Sequence, residues 1–310
     1  MDPLRLPDFA AETWLLALNP ISGRGRGLAA RQRIEARLAA RGQRFHTAVS
    51  RYPGETADLT AAAVDRGCRR VLVAGGDGSL SEAVNGLFIQ QAVPPAAVTL
   101  ALLPVGTGND WARSHGLPSA MEAAIDLAVS GTPRRHDAGR IEFAAGGHRH
   151  FVNVAGAGFD AVVVERMPSR RLGRLAYLVG LLRGLAAYRP LPMQITVDGR
   201  REEAEALVAF ACIGSTCGGG MRVAPGAQDD DGLLDVTLIR YLKPWEILRD
   251  ARRLFDGSLL GHPRVSGWRA SRVHLAGAPG IPLEADGEPA GHLPATVSVL
   301  PAALSLVRPD

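Results

Sequence analysis

The chain has 310 residues, 46% of them hydrophobic and 21% charged, which is the composition of a soluble globular protein long enough for two domains. Its formal charge of +4 is carried almost wholly by arginine; Lys243 is the single lysine, which excludes any mechanism that needs a phosphate-binding lysine in a glycine-rich loop. Cys68, Cys212 and Cys217 are too widely spaced for a Cys/His metal motif and too few for a disulfide framework, so they read as buried thiols of a cytoplasmic protein. Asp2, Pro3, Pro7 and Asp8 do not read as a signal peptide, and the longest apolar run, Leu175–Leu182, is too short to span a bilayer.

In chain order, Trp14–Leu18 reads as a short apolar strand ending in Asn19-Pro20-Ile21-Ser22-Gly23-Arg24-Gly25-Arg26-Gly27. A helix is predicted from about Leu28 to Arg41, with Leu28, Ile34 and Leu38 on its apolar face. Arg44–Val49 is a second strand, and Glu55–Arg66 a second helix after the Pro53-Gly54 turn. The third strand, Val71–Ala74, runs into Gly75-Gly76-Asp77-Gly78 and a helix over Ser79–Ile89, which Pro94-Pro95 breaks. Val98–Leu103 is the fourth strand, ending in Pro104-Val105-Gly106-Thr107-Gly108-Asn109-Asp110. Strand and helix alternating at this spacing predict an α/β domain with a parallel sheet over residues 1–132. After Gly131-Thr132-Pro133 the segments become short and rich in Val, Ile, Leu and Ala between Gly, Pro and polar turns, which predicts a mainly antiparallel β-sandwich domain over 133–310 whose last strand is able to return to the first domain. Arg174–Tyr188 and Trp245–Phe255 are its predicted helices.

Three glycine-rich turns therefore follow strands, near Gly23, Gly76 and Gly106, and in an open parallel sheet such turns gather at the carboxyl edge where ligands bind. Amides at a helix N-terminus favour an anion, but Asp77 among the glycines would repel a bare phosphate unless a metal ion or a hydroxyl stands between them. Gly25-Arg26-Gly27-Leu28-Ala29-Ala30 fits a weak dinucleotide fingerprint, yet the acid expected about 20 residues on is absent, with Ser50 and Arg51 in its place, and no G-x-x-x-x-G-K-[S/T] loop occurs.

Taken together, Asn19-Pro20-x-Ser22-Gly23, Gly75-Gly76-Asp77-Gly78-Ser79-Leu80-Ser81-Glu82, Gly106-Thr107-Gly108-Asn109-Asp110, Asn153-x-Ala155-Gly156-x-Gly158-Phe159-Asp160, Pro225-x-Ala227-x-x-x-Asp231-Gly232-Leu233-Leu234-Asp235 and Asp286-Gly287-Glu288 resemble the bacterial diacylglycerol kinase-like lipid kinases, relatives of the sphingosine and ceramide kinases. The Gly-Gly-Asp-Gly turn alone is shared with NAD kinases and phosphofructokinases; the ordered series over nearly the whole chain is far more specific. The resemblance implies a kinase that uses ATP and Mg²⁺ to phosphorylate a lipid hydroxyl, with the nucleotide in the first domain and the lipid in the second or in the cleft. It implies ATP contacts from Asn19, Pro20, Ser22, Gly23, Ser50, Gly75, Gly76, Asp77, Gly78, Ser79, Leu80 and Ser81, with Gly106 and Thr107 by the phosphates and Asn109 and Asp110 supporting them. Ser79 replaces the usual threonine and Ser81 the usual asparagine. It also implies a structural Mg²⁺ held by Asp231 with the carbonyls of Gln228 and Leu233, and it puts Asp286 and Glu288 on the catalytic acid motif.

The chemistry of the residues agrees with that assignment. Phosphoryl transfer to an alcohol needs positioning, charge neutralisation and a base. Arg24 or Arg26 can fork onto phosphates, Asp77 and Asp110 can hold Mg²⁺, and either Asp286 or Glu288 can take the hydroxyl proton. The structural alternatives are a hairpin turn for Asp286-Gly287, a solvated turn for Asp229–Gly232, and structural roles for Asp137 and Asp160. His46, His136, His150 and His274 show no ligand spacing. The other readings weighed are an NAD kinase-like phosphotransferase, a non-catalytic nucleotide- or lipid-binding regulator, and an oxidoreductase resting on the weak first turn. The expected partners are a lipid presented at the inner membrane surface and no nucleic acid. Arg166, Arg170, Arg171 and Arg174 ahead of Leu175–Leu182 suit either peripheral membrane contact or a core helix with a basic lead-in, and the β-rich half is compatible with a homodimer.

Overall fold

A computed structural model describes residue 4 and residues 6–166, 190–278 and 280–309. The basic and apolar stretch after Arg166 and the helix expected at Arg174–Tyr188 lie outside the described residues. The chain divides into two compact units, residues 1–136 with 302–310, and residues 137–301. The change of texture at residue 132 and the division after His136 differ because one strand, Pro133–Phe143, runs through the junction.

The first unit contains β1 (Trp14–Leu18), α1 (Ser22–Ala40), β2 (Phe45–Val49), α2 (Glu55–Asp65), β3 (Arg70–Gly75), α3 (Asp77–Ile89), β4 (Thr99–Pro104), α4 (Asp110–Ser114) and α5 (Met121–Ser130). The strands form a parallel sheet in the order β4-β3-β1-β2. Trp14, Leu16, Leu18, Leu72, Ala101 and Leu103 pack against Ile34 and Leu38 of α1 and Ala124 and Ile125 of α5. Helix-covered parallel strands read as continuous apolar runs for this reason. Gly23, Arg24 and Gly25 are left-handed at φ 60, 65 and 89°, so they break the first turn of α1 and its regular right-handed helix runs only after Gly25, close to the start expected at about Leu28. α3 ends at Ile89, ahead of Pro94-Pro95, and the Gln90 Nε2 group donates to the freed Leu87 carbonyl at 2.9 Å.

The remaining strands are β5 (Pro133–Phe143), β6 (His148–Phe151), β7 (Val154–Gly158), β8 (Leu191–Val197), β9 (Arg200–Cys212), β10 (Leu234–Arg240), β11 (Val265–Ala270), β12 (Arg272–Gly277), β13 (Pro282–Ala285), β14 (Glu288–His292) and β15 (Ala295–Val307). α6 (Phe159–Arg166), α7 (Pro244–Asp250) and α8 (Arg253–Asp256) interrupt them. In the second unit β14-β13-β7-β9-β8-β12-β15 pair antiparallel in that order, with β10 added on β9, β11 on β10 and β6 on β5. Alternate residues of β9 feed two cores: Ala209 and Ala211 face one, Val208, Phe210 and Cys212 the other. The period of two puts apolar groups on both faces, as the sandwich requires. β15 serves both units: Ala295–Ser298 pairs with β12, Ala302 turns the strand at φ 50°, and Ser305 and Leu306 pair parallel with β4.

Candidate active site

In the first unit the three glycine turns meet at backbone range. A Cβ on Gly23 would lie 2.1 Å from the Val105 carbonyl oxygen, and one on Gly106 would lie 2.6 Å from the Gly76 Cα, so only glycine admits the approach. Polar bonds join each pair of turns. The Asn19 Nδ2 group donates to Ser79 Oγ at 3.0 Å, and the Arg26 Nη2 group donates to the Gly106 carbonyl at 3.2 Å. Asp77 accepts from the Asp110 and Trp111 amides, each at 3.0 Å, which caps α4 and ties the second turn to the third. Burial pushes the Asp77 carboxyl up, against these two amides that favour its charge.

The opening amides of α3, Asp77, Gly78 and Ser79, have no acceptor within the helix, and the exposed Gly108 lies against Asp77, where a Cβ would stand 3.0 Å from its Oδ2 atom. The buried Asn109 Oδ1 atom has no hydrogen-bond donor, although its Nδ2 group donates to the Pro104 and Gly106 carbonyls. A hard acceptor beside a glycine cradle fits a nucleotide phosphate carrying Mg²⁺. Pro20 and Ser22 shape the first turn: the Pro20 carbonyl accepts from Leu28 N–H, and Ser22 N–H donates to the Asn19 carbonyl.

Several of the expected nucleotide-contacting residues have buried side chains. Leu80 and Ser81 are fully buried on the inner face of α3, and Leu80 N–H already donates to Gly76, so neither side chain reaches the open edge. Ser50 is buried at the end of β2, with its N–H on the Leu18 carbonyl at 2.9 Å. Of the two arginines read as phosphate ligands, Arg26 braces Gly23 and Gly106, whereas Arg24 is exposed on the left-handed turn. Asp110 forms an ion pair with Arg113.

In the second unit Asp286 and Gly287, at φ 52 and 79°, form the two-residue turn of the β13–β14 hairpin, as the structural alternative expects. The carboxylate does more than close a turn. It accepts from the amides of Val152 at 3.0 Å, Asn153 at 2.9 Å and Val154 at 3.2 Å, while Asp286 N–H donates back to the Val154 carbonyl. Three backbone amides thereby hold its position. Behind it lies a residue that the sequence reading did not single out, Glu284, whose Oε2 atom accepts from Gly287 N–H at 2.6 Å. Glu284 is hydrogen-bonded to Asp160 at the start of α6, and Gly156 leaves room for both carboxyl groups. Burial pushes both carboxyls up, Glu284 furthest, with the Asp160 charge adding to it, so the pair holds a shared proton. The available signal was an acid in the otherwise apolar Ile281–Ala285 run.

The Asp231 turn gathers hard oxygens. Asp231 accepts from Leu233 N–H at 3.0 Å and pairs with Arg269, and Asp137 accepts from Gly232 N–H at 2.7 Å, so Asp137 and Asp231 brace one turn from two sides. The Asp235 Oδ2 atom is buried with no hydrogen-bond donor, 3.5 Å from Arg269 Nε. Burial raises the Asp235 carboxyl. The Arg269 guanidinium faces both carboxylates, and the hard oxygens it faces are of the kind that suits Mg²⁺.

Two family models match successive parts of the chain. Residues 13–141 match the diacylglycerol kinase catalytic domain, and residues 153–308 match the YegS C-terminal NAD kinase beta sandwich-like domain. A protein of Mycobacterium tuberculosis named diacylglycerol kinase is 38% identical over 296 residues, 94% of this chain and 93% of its own length. A Shewanella frigidimarina protein named "Probable lipid kinase YegS-like" is 32% identical over 89% of each chain. The crystal structure of a diacylglycerol kinase from Bacillus anthracis superposes with a TM-score of 0.74 at 22% identity, over 96% of this chain and 97% of that one, which shows the shared fold. The chain belongs to the diacylglycerol kinase-like family of lipid kinases.

Proposed function

We propose that the protein transfers the γ-phosphate of ATP, with Mg²⁺, to the hydroxyl of diacylglycerol or a chemically related lipid. The observation that carries this reading is the convergence of three glycine turns, cross-tied by Asn19, Arg26 and Asp77, around the opening amides of α3. Those amides bind the phosphates, and the rigid cross-ties hold the γ-phosphoryl group without reorganisation during transfer. Arg24 reaches the phosphates from the left-handed turn. Mg²⁺ bound with the nucleotide neutralises charge on the phosphates, and Asn109 Oδ1 and Asp110 are the oxygens that would hold it. In the second unit, Asp286 takes the proton of the lipid hydroxyl as the oxygen attacks phosphorus, with Glu288 at the far end of the same turn as the other acid of the motif. Asp231, with the Gln228 and Leu233 carbonyls, would hold a second Mg²⁺, whose charge would brace this turn of the second unit.

The test is transfer of label from γ-labelled ATP to diacylglycerol, phosphatidylglycerol, a sphingoid base and a polyprenol in mixed micelles, and to NAD in parallel. Label in a lipid supports the reading and names the acceptor. Label in NAD alone, or in nothing while ATP binds, contradicts it.

A further inference from the structure

Half of the large hydrophobic side chains that stand exposed among the described residues belong to one short stretch of the second unit, Lys243 to Arg264. Trp245 is 56% exposed, Leu248 61%, Phe255 55% and Leu260 44%. The others, Ile21, Leu28, Tyr52 and Ile89, are scattered through the first unit. The stretch comprises α7, α8 and a 3-10 turn at Leu259–Gly261. Its inner side is already satisfied: Leu242, Ile247, Leu254 and Leu259 pack into the core around Phe159, Phe210 and Val265. The last three each have an exposed apolar neighbour in sequence, Leu248 beside Ile247, Phe255 beside Leu254 and Leu260 beside Leu259. The outer side chains therefore add nothing to the fold, and their exposure costs solubility.

The segment is held in shape. His262 Nε2 lies 3.4 Å from the Asp250 carboxylate, Arg253 Nη1 donates to the Ser258 carbonyl at 3.1 Å, and Arg222 N–H donates to the Leu254 carbonyl. The stretch carries five basic residues, Lys243, Arg249, Arg252, Arg253 and Arg264, and three acids, Glu246, Asp250 and Asp256; Arg249 pairs with Asp250 and Arg252 with Asp256, which leaves a basic excess. Arg249 lies 5.2 Å over the Trp245 ring, and the Arg252 side chain is 88% exposed.

We propose that this stretch docks the protein on an anionic lipid bilayer. Tryptophan settles at the headgroup level, Leu and Phe reach the acyl boundary, and arginines pair with lipid phosphates. The basic excess selects this occupant over a second copy of the same face, which would bring like charges together. The proposal deepens the lipid-kinase reading, because the hydroxyl to be phosphorylated lies at such a surface.

The test is sedimentation of the full chain with vesicles of equimolar phosphatidylglycerol and phosphatidylcholine, and with phosphatidylcholine alone. Wild type should partition onto the anionic vesicles preferentially. The triple variant W245S/L248S/F255S should lose about 30-fold or more of that partitioning, and Arg252→Glu about fivefold, with thermal unfolding temperatures kept. Should the triple variant fail to fold, Leu248→Ser and Arg252→Glu decide. Equal partitioning of wild type and variants overturns the proposal, as does equal binding to neutral and anionic vesicles. A wild-type dimer that the triple variant converts to monomer, with vesicle binding unchanged, assigns the face to a second copy and also overturns it. Activity on a short-chain monomeric diacylglycerol should stay within about twofold of wild type in both variants, because neither touches the reacting groups. If no lipid is phosphorylated at all, the kinase reading fails while vesicle partitioning still decides the docking surface.

Discussion

The first unit builds its candidate site from backbone, and the second builds its own from carboxyl groups that backbone holds. Around Gly23, Gly76 and Gly106 the absence of side chains lets three turns meet, and Asn19, Arg26 and Asp77 act as cross-ties. Around Asp286 the side chain matters most, and the amides of Val152, Asn153 and Val154, with the Glu284–Asp160 pair behind, fix where it stands. The first arrangement suits an anion whose charge is present before the reaction; the second suits a proton acceptor that must stay in register with an incoming hydroxyl. The difference teaches that a binding region tolerates few additions and a proton-transfer region few deletions.

That contrast can be broken by substitution. The largest expected effect is on the first unit. Gly106→Ala places a Cβ 2.5 Å from Asn109 Oδ1, and the displaced turn should weaken ATP binding by about 100-fold, read by calorimetry, with lipid binding unaffected. In the second unit, Glu284→Ala removes the carboxyl that bonds Gly287 N–H and leaves Asp160 buried without its carboxyl partner, and should cost about 2–4 kcal/mol in denaturant unfolding. Glu284→Gln keeps a donor for Asp160 and an acceptor for Gly287, and should be nearly neutral.

The same pair sets a pH dependence. Both carboxyls are raised in the folded chain, Asp160 to about 6 and Glu284 beyond it, so the folded form binds the extra proton. Stability should be complete below the ordinary carboxylate range near about 4, and should fall as pH rises through 6 and above. Melting temperature followed from pH 5 to 9 should show this slope in wild type and a much flatter one in Glu284→Gln.

Smaller effects sharpen the picture. Millimolar Mg²⁺ without nucleotide should raise the melting temperature by about 2–6 °C through the Asp231 turn, and chelator or Asp231→Asn should remove the gain. Asn19→Ala deletes one tie between two turns and should raise the KM for ATP about fivefold with little change in kcat.

Much of this was legible in the sequence because glycine at a strand end has few other uses when it recurs three times. The parallel and antiparallel halves were legible from the spacing of apolar runs. Side-chain direction was less so. Leu80 and Ser81 belong to the motif, but they share the inner face of α3 with Ala83, Val84 and Leu87, and helical phase, not motif membership, decides what they touch. Arg26 reads as a phosphate ligand until its carbonyl partners, one of them 80 residues away, are known. Glu284 was hidden because its partner Asp160 is 124 positions distant in sequence, and burial of two acids together is a property of the folded chain alone.

The central claim is that nucleotide binding belongs to the glycine turns and proton acceptance to Asp286. Its most direct test measures ATP affinity and lipid phosphorylation on the same preparations of wild type, Asp286→Asn and Asp77→Asn. Asp286→Asn should bind ATP as wild type does and lose about 10²–10⁴-fold in kcat, whereas Asp77→Asn, which loosens the cap on α4, should lose both. Full transfer activity in Asp286→Asn, or equal loss of ATP affinity in the two variants, would contradict the division.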